Sequence, residues 1–301
     1  MDLSTIIVNW NTRELLAACL ESTFAAMHDD LESEIIVVDN GSTDGSAEMI
    51  GEHFPRVHLI RNQENVGFAN ANNQAIRQSC GRYVLLLNSD TEVYPGALST
   101  LVQFMNEHSR AGGCGSRLLN ADGSLQASCH PMPTPAREFW RLLFLDRLWP
   151  KATYVQERWE SETPRRVQVI KGACFLLRRS ALEQVGMLDE QYYMYSEEVD
   201  LCYRLAHAGW ELWWVPQAVV KHYGEASSKQ RRETMYIQLY RSKVQFYRKF
   251  GGDDRADRFK HLVRVAYGPR LVLATLAAPF SSSLSTQAHT FRRLLRELPG
   301  M

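Results

Sequence analysis

The six cysteines, Cys19, Cys80, Cys114, Cys129, Cys174 and Cys202, include no Cys-x-x-Cys pair, so the chain has neither a zinc-ribbon spacing nor a disulfide framework. Buried free thiols in a reducing compartment are the expected state. No Gly-x-Gly-x-x-Gly follows the first apolar run, where the sequence reads Asn9-Trp10-Asn11-Thr12-Arg13. The usual dinucleotide fingerprint is missing, which disfavours a nicotinamide dehydrogenase. The opening run Ile6-Ile7-Val8 is too short for the core of a secretory leader and stands close to Asp2, so the main body is expected in the cytoplasm. With 45% hydrophobic and 23% charged residues over 301 positions, a disordered or low-complexity class is excluded and a substantial core is available.

Net charge is lacking too, yet its distribution is uneven. Residues 255–301 carry Arg255, Arg258, Lys260, Arg264, Arg270, Arg292, Arg293 and Arg296 against only Asp257 and Glu297, a basic tail on an acidic body. Such a tail points to an anionic surface as partner.

What the chain does have is a regular alternation of strand and helix signals over its first ninety residues. Leu3 to Val8 reads as a strand, and Thr12 can cap a helix with Leu15, Leu16, Cys19, Leu20, Phe24 and Met27 on one broad face. Glu34–Asp39 is a second strand and Val57–Ile60 a third. Phe68–Gln78 is a helix, and Tyr83–Leu87 a fourth strand. This βαβαβαβ order predicts a parallel, right-handed, doubly wound sheet. A helix follows Pro95 to about Glu107, Asn120-Ala121-Asp122-Gly123 reads as a turn between strands, and strands return at Val167–Ile170 and Ala173–Leu177. A helix begins at Ser196 and stops at Gly209. Residues 131–165 interrupt the pattern with five prolines around Phe139, Trp140, Arg141, Phe144 and Trp149, a packed connector or a cover over substrate. The expected division is a domain over 1–252, with halves 1–112 and 113–252, and a helical segment over 253–301.

Four constellations carry chemistry. The apolar strand Leu85-Leu86-Leu87 ends in Asn88-Ser89-Asp90, which puts a carboxylate where ligands bind in parallel sheets and where a divalent metal can sit. Asp39 ends an earlier strand and is followed by Asn40-Gly41-Ser42, either a helix-entry turn or a carboxylate for a ring N–H. Asn65, Asn70, Asn72 and Asn73 crowd around one helix start. Asparagine is a mediocre helix former, and Asn70 and Asn73 share a face that offers donors and acceptors. Glu197, Glu198 and Asp200 open a later helix, where the macrodipole alone would welcome them or where one can deprotonate a hydroxyl. Tyr192, Tyr193, Trp213 and Trp214 suit sugar faces, and His222 is a plausible nitrogen ligand beside Asp90.

Five motifs in order resemble the family-2 inverting glycosyltransferases with the GT-A fold, within them the bacterial rhamnosyltransferase-like members. They are Ile7-Val8-Asn9-Trp10-Asn11, Val38-Asp39-Asn40-Gly41-Ser42-Thr43-Asp44, Asn65-Val66-Gly67-Phe68-Ala69, Leu87-Asn88-Ser89-Asp90, and Glu197-Glu198-Val199-Asp200 with Arg204. The resemblance runs from Ile6 to about Gly251. It implies an α/β, Rossmann-like, mostly parallel sheet flanked by helices with a helical C-terminal extension. It further implies a donor site of Asn9, Asp39, Asn65, Gly67, Asn70, Asn73, Asn88, Ser89 and Arg204, with Asp39 on a pyrimidine. Glu198 is implied as base, with Glu197 as rival and Asp200 alongside. Asp90 and His222 are implied for Mg²⁺ or Mn²⁺, and Gly172, Ala173, Cys174, Trp213 and Trp214 for the acceptor. The implied donor is dTDP-L-rhamnose or a UDP-sugar, and the implied acceptor a glycan or polyprenyl-diphosphate-linked saccharide. Three positions depart from the family: Asn88 stands where Asp is general and removes a charge, Glu198 where Asp is commoner, and Cys174 where a larger side chain is usual. A nucleotidyltransferase, which would show a glycine-rich Arg/Lys loop after the first strand, and a silent nucleotide-sugar-binding module remain the alternatives.

The tail completes the expectation. Leu262–Phe280 is apolar but interrupted by Arg264, Gly268, Pro269 and Arg270, short of the roughly 20 clean residues that span a bilayer. It suits an interfacial helix on the anionic cytoplasmic face of a membrane rather than nucleic acid, with packing against the catalytic domain or a homodimer partner as the other reading.

Overall fold

The computed structural model describes residues 1–27, 31–145, 153–224 and 231–301. Trp149 of the proline-rich insertion lies outside the described residues. The first half runs β1 (Leu3–Asn9), α1 (Arg13–Ala26), β2 (Ser33–Asn40), α2 (Ser46–His53), β3 (His58–Asn62), α3 (Phe68–Gln78) and β4 (Tyr83–Asn88). The four strands pair in parallel in the order β3-β2-β1-β4, as the alternating pattern requires. β4 is buried from Tyr83 to Leu87 on both faces, which is why it reads as an unbroken apolar run. The order reverses direction at β1, so a crevice opens beyond the carboxyl ends of β1, β2 and β4, where Asn9, Asp39 and Asn88 stand.

The chain continues through β5 (Thr91–Val93), α4 (Ala97–Glu107), β6 (Ala111–Leu119), β7 (Leu125–Gln126), β8 (Cys129–His130) and α5 (Pro135–Leu142). It then forms β9 (Arg165–Val167), β10 (Val169–Ile170), β11 (Cys174–Arg178), α6 (Arg179–Val185), α7 (Glu197–His207) and β12 (Glu211–His222). The sheet extends as β4-β11-β6-β12-β5, with β11 antiparallel to both neighbours and β12 parallel to β6, so β12 ends on the crevice edge at His222. β8 and β10 form a separate small pair. The mixed, mostly parallel sheet flanked by helices is the predicted class.

Two compact units divide the chain. The first, Met1–Met132 with Val155–Tyr193 and Glu197–Gln230, holds the sheet and its core. The second comprises Pro133–Tyr154, Met194–Ser196 and Arg231–Met301. It therefore begins well before residue 253 and recruits part of the proline-rich insertion. Within it stand α5, α8 (Arg232–Ala277) and α9 (Ser282–Glu297), with α8 broken at Gly252, whose φ is 69°. Aromatic packing spans that break, with Tyr247 and Phe259 ring centroids 4.8 Å apart and the Tyr240 and Tyr267 hydroxyls 2.5 Å apart. Glu138 of α5 is buried and takes Lys243 Nζ at 2.9 and 3.0 Å, so this stretch of the insertion is a packed connector of the unit. Helix α1 likewise departs from expectation at its start: Thr12 precedes it, yet makes no side-chain cap and bonds across to the crevice instead. Among the described residues no helix is long and apolar enough to cross a membrane.

At the opposite end of β1, Ser4 Oγ accepts from Gly81 N at 2.7 Å and donates to Glu34 Oε1 at 2.6 Å, locking three strands together. A Cβ on Gly81 would stand 2.5 Å from Ser4 N and 2.7 Å from Leu3 C, backbone that cannot yield cheaply. Gly81→Ala is expected to cost about 1–3 kcal/mol in urea unfolding, from overpacking alone.

Candidate active site

The crevice is built on uncharged side chains that orient a few carboxylates. Asn9 ends β1 with no exposed surface, and its Nδ2 donates to Asp39 Oδ1 and to Ser42 Oγ, both at 3.1 Å. Its Oδ1 accepts from Thr12 Oγ1 at 2.7 Å, and Thr12 Oγ1 lies 2.9 Å from Ser89 Oγ. Asn9 and Ser89 are therefore linked through one buried hydroxyl, and Asn9, with no exposed surface, orients Asp39. Ser42 N donates to Asp39 Oδ2 at 3.2 Å, which fixes the carboxylate plane. Gly41 is required here because a Cβ would lie 2.7 Å from Glu64 Cα at a φ of 76°.

Asn40, which sequence reasoning passed over as a turn residue, organises the asparagine-rich segment. Its Oδ1 accepts from Val66 N and Asn62 Nδ2, both at 3.1 Å, while its Nδ2 donates to Asn65 Oδ1 at 3.0 Å. Asn65 Oδ1 also accepts from Gly67 N at 3.0 Å, an Asx-turn that delivers the chain into α3. Gly67, at a φ of 90°, lets Tyr193 approach: Phe68 N donates to Tyr193 O at 2.8 Å, and a Cβ on Gly67 would stand 2.8 Å from that oxygen. The segment four residues ahead of Glu197 is thereby fastened to the exit of β2. Asn73 is buried and fully committed to the same loop, through Leu188 O at 2.8 Å, Glu190 Oε1 at 2.9 Å and Leu188 N at 3.2 Å. Of the expected pair only Asn70 remains half-exposed.

Asp90 and His222 come together across the β5 and β12 edge, with Nε2 3.2 Å from Asp90 Oδ1. A hydrogen-bond chain sets the imidazole. Gln126 Nε2 donates to Asn120 Oδ1 at 2.8 Å and to His222 O at 3.1 Å, so its Oε1 faces His222 Nδ1 at 2.6 Å as acceptor. Nδ1 then carries the proton, and in the neutral ring the Nε2 lone pair points toward Asp90 and Asn88 Nδ2, the latter at 3.3 Å. Gln126 was not singled out from sequence; the signal available was the turn at Asn120–Gly123, which places it on β7 against β6.

Helix α7 presents two different glutamates. Tyr195 and Ser196, both at a φ of 68°, adopt the left-handed conformation immediately before it, a strain that persists only where the surroundings impose it. Glu197 is buried, its Oε2 has no hydrogen-bond partner, and burial followed by repulsion from Glu198 holds its carboxyl well above the usual range. Glu198, one residue on, is half-buried, with its Oε2 as enclosed as that of Glu197. Asp200 has no exposed surface and receives Arg204 Nε at 2.6 Å and Tyr192 OH at 3.4 Å. The rest of the guanidinium donates to Val185 O at 2.6 Å, Gly186 O at 2.9 Å and Met187 O at 2.7 Å. Asp200 and Arg204 thus clamp α7 to the preceding loop, and neither is free to act as an acid–base group or to contact a donor.

Comparison with known proteins gives the family. The sequence model for Glycosyl transferase family 2 matches residues 4–186. The chain belongs to that family. It is 37% identical over 205 residues to N-acetylglucosaminyl-diphospho-decaprenol L-rhamnosyltransferase of Mycobacterium tuberculosis, covering 63% of this chain and 66% of the relative, so just under two thirds of the relative's length is spanned. It is 28% identical over 207 residues to the low-salt glycan biosynthesis hexosyltransferase Agl10 of Haloferax volcanii, covering 67% and 61% of the two. Among solved structures, the mannosyltransferase PcManGT of Pyrobaculum calidifontis, in complex with GDP-Man and Mn²⁺, aligns with a TM-score of 0.55 at 16% identity over 97% of this chain and 84% of that one. GalNAc-T7 with UDP, GalNAc and Mn²⁺ aligns with a TM-score of 0.57 at 18% identity, over 74% of this chain and 44% of that one. These likenesses establish the GT-A fold.

Three expected acceptor residues stand elsewhere in this family-2 fold. Trp213 and Trp214 lie near the start of β12, roughly 25 Å along the strand from His222 at ~3.3 Å per residue. Trp213 packs on Phe104 and His108 and lies under Arg166, while Trp214 is buried against Trp159. Neither offers a face to a sugar, because both fill core beside the sheet. Cys174 pairs with Leu87 in the register and turns into the core, where burial pushes its thiol up to about 11. Ala173 is buried but its carbonyl accepts from Asn88 N at 3.0 Å, and Gly172 is half-buried at the crevice edge with space where a Cβ would go.

A raised carboxyl pKa in the folded state favours folding while Glu197 stays protonated and loses that contribution as pH climbs past the unfolded value toward the folded one. Glu197→Gln keeps the neutral shape. It is expected to leave stability unchanged at acid pH and to raise it relative to wild type as pH increases above the usual carboxylate range, read from thermal melts across pH. A variant equally or less stable at every pH overturns the raised carboxyl of Glu197.

Proposed function

We propose that the chain transfers a sugar from a nucleotide sugar to a hydroxyl of a glycan or polyprenyl-diphosphate-linked acceptor, with inversion, in bacterial cell-surface polysaccharide synthesis. The favoured donor is dTDP-L-rhamnose, a preference supported by the similarity to the mycobacterial enzyme. The observation that carries the reading is the facing pair Asp90 and His222 on the crevice edge, with Asp39 at the neighbouring strand end and half-buried Glu198 on α7.

The donor set suits a hard divalent cation: one carboxylate oxygen and one imidazole nitrogen whose lone pair is aimed by Gln126. Among the described residues no third His, Cys, Asp or Glu joins them, which leaves coordination positions for diphosphate oxygens and water. Asp90 and His222 would hold Mg²⁺ or Mn²⁺, which when bound supplies charge stabilisation to the departing nucleoside diphosphate. The remaining steps belong to the protein. Asp39, oriented by Asn9 and Ser42, accepts from the pyrimidine ring N–H. Glu198 takes the proton of the acceptor hydroxyl as its oxygen forms a bond to the anomeric carbon and the bond to the diphosphate oxygen breaks on the opposite face. One displacement inverts the centre. Glu198 rather than Glu197 is the base because it is half-buried, whereas Glu197 is buried and that burial, followed by repulsion from Glu198, raises its carboxyl.

Glu198→Gln preserves shape and removes the proton acceptor, so transfer is expected to fall by about 10²-fold or more with donor binding retained by calorimetry. A larger loss in Glu197→Gln than in Glu198→Gln would falsify the choice of base.

Competition among dTDP-L-rhamnose, UDP-glucose and UDP-N-acetylglucosamine, with Mg²⁺ or Mn²⁺ present, tests the donor and the cation together. Preference for the dTDP sugar is expected, with activity abolished by excess EDTA and in Asp90→Ala. Preference for a UDP-hexose overturns the donor assignment, and undiminished turnover in EDTA overturns the cation.

A further inference from the structure

The second compact unit carries one helix face that its own packing does not use. In α8 beyond Gly252, Ala256, Phe259, Val263, Ala266, Tyr267 and Ala274 are buried, whereas Val265, Val272, Leu273 and Leu276 are exposed. Val265, Val272 and Leu276, spaced by seven and four residues, share one face of the helix as a stripe, with Leu273 on its flank. Phe280, at the turn into α9, is 88% exposed. Phe144 is 77% exposed and lies 4.6 Å from the Arg270 guanidinium, which brings another bare ring beside the same helix. Toward the start of the segment lies a groove of about 690 Å³ lined by Phe139, Trp140, Arg258 and Leu262 and also by Asp254 and Asp257, so the region free of carboxylates begins beyond it. Apolar side chains this exposed and this contiguous mark an interaction surface.

Charge decides the occupant. Between Arg258 and Arg296 there is no Asp or Glu, against seven Arg and Lys. Arg258, Arg264, Arg292 and Arg296 are exposed, and no carboxylate pairs with them among the described residues. Glu233 and Glu297 pair with Arg293, and Glu138 with Lys243, inside the unit, while the exposed acids Asp253, Asp254 and Asp257 stand together at the start of the segment, ahead of the apolar stripe. An apolar stripe on a segment stripped of negative charge matches the interface of an anionic bilayer, where acyl chains receive the stripe and headgroups the arginines.

We propose that Phe144, Val265, Val272, Leu273, Leu276 and Phe280 form a membrane-docking surface that inserts into the interfacial layer of an anionic leaflet. Docking is peripheral, since the helix lies on the surface without crossing it. Sugar transfer and membrane docking rest on different residues in different units, so either can fail alone.

Co-sedimentation of the full chain with phosphatidylglycerol/phosphatidylcholine vesicles and with phosphatidylcholine vesicles tests it. Wild type is expected to partition at least about tenfold more strongly onto the anionic vesicles, and Leu276→Glu/Phe280→Glu to lose about tenfold of that binding. Both substituted positions are exposed, and unchanged nucleotide-sugar binding in the variant reports an intact fold. Arg258→Gln/Arg264→Gln provides a second variant, expected to weaken anionic binding while leaving the weak zwitterionic binding unchanged. Equal recovery of wild type in the supernatant with and without anionic lipid overturns the proposal. So does a wild-type dimer by light scattering that the Leu276→Glu/Phe280→Glu variant converts to monomer, which would assign the stripe to a second copy of the chain.

Discussion

The ion pair between Asp200 and Arg204 fastens helix α7 to the end of α6, and the place of Glu198 depends on that clamp. A carboxylate with no exposed surface is tolerable only with a partner, and removing one member of such a pair costs about 3–5 kcal/mol. Arg204 also takes three carbonyls from Val185 to Met187, so the guanidinium joins α7 to the end of α6. Two residues before Asp200 on the same helix is Glu198, whose position follows from this clamp. The strain at Tyr195 and Ser196 is held between the clamp and the Tyr193–Phe68 hydrogen bond on the other side.

Orientation elsewhere in the crevice comes from amides and hydroxyls. Asn9, Thr12, Ser42 and Ser89 form a connected set around Asp39, and Asn40 with Asn62 and Asn65 forms a second set beneath the turn to α3. Neutral groups suit this task because they fix a carboxylate without cancelling its charge. An arginine in place of Asn9 would neutralise Asp39. Buried networks of this kind rigidify a site when every member is satisfied.

The same logic separates the two glutamates. One residue of helical advance takes the side chain from core to partial exposure, and burial of Glu197 together with its neighbour's charge raises its carboxyl well above the usual range. At the other edge, Gln126 settles the tautomer of His222, leaving nitrogen and carboxylate oxygen to face one another. Two neighbouring carboxyls on one helix are thereby differentiated, and an imidazole nitrogen is held beside a carboxylate oxygen.

Sheet class, the alternation of strands and helices over the first ninety residues and the places of Asp39 and Asp90 at strand ends were legible in the sequence, because apolar strands that end abruptly in polar residues report burial on both faces and a carboxyl-terminal edge. The strand signal at Trp213 and Trp214 was also legible, but not that strand's length or direction, which puts these rings at the far end from His222. Asn73, Cys174, Asp200 and Arg204 looked like site residues, yet each is committed to a loop, a core or a clamp, as partners distant in sequence determine. Gln126 and Asn40 gave no sign of their roles, since an amide's function lies in what its two ends meet. Local sequence determined which segments are strands and where polar groups stop them. Only tertiary structure decided which of those polar groups remain open to a ligand, because burial and hydrogen-bond commitment are set by residues that approach from elsewhere in the chain.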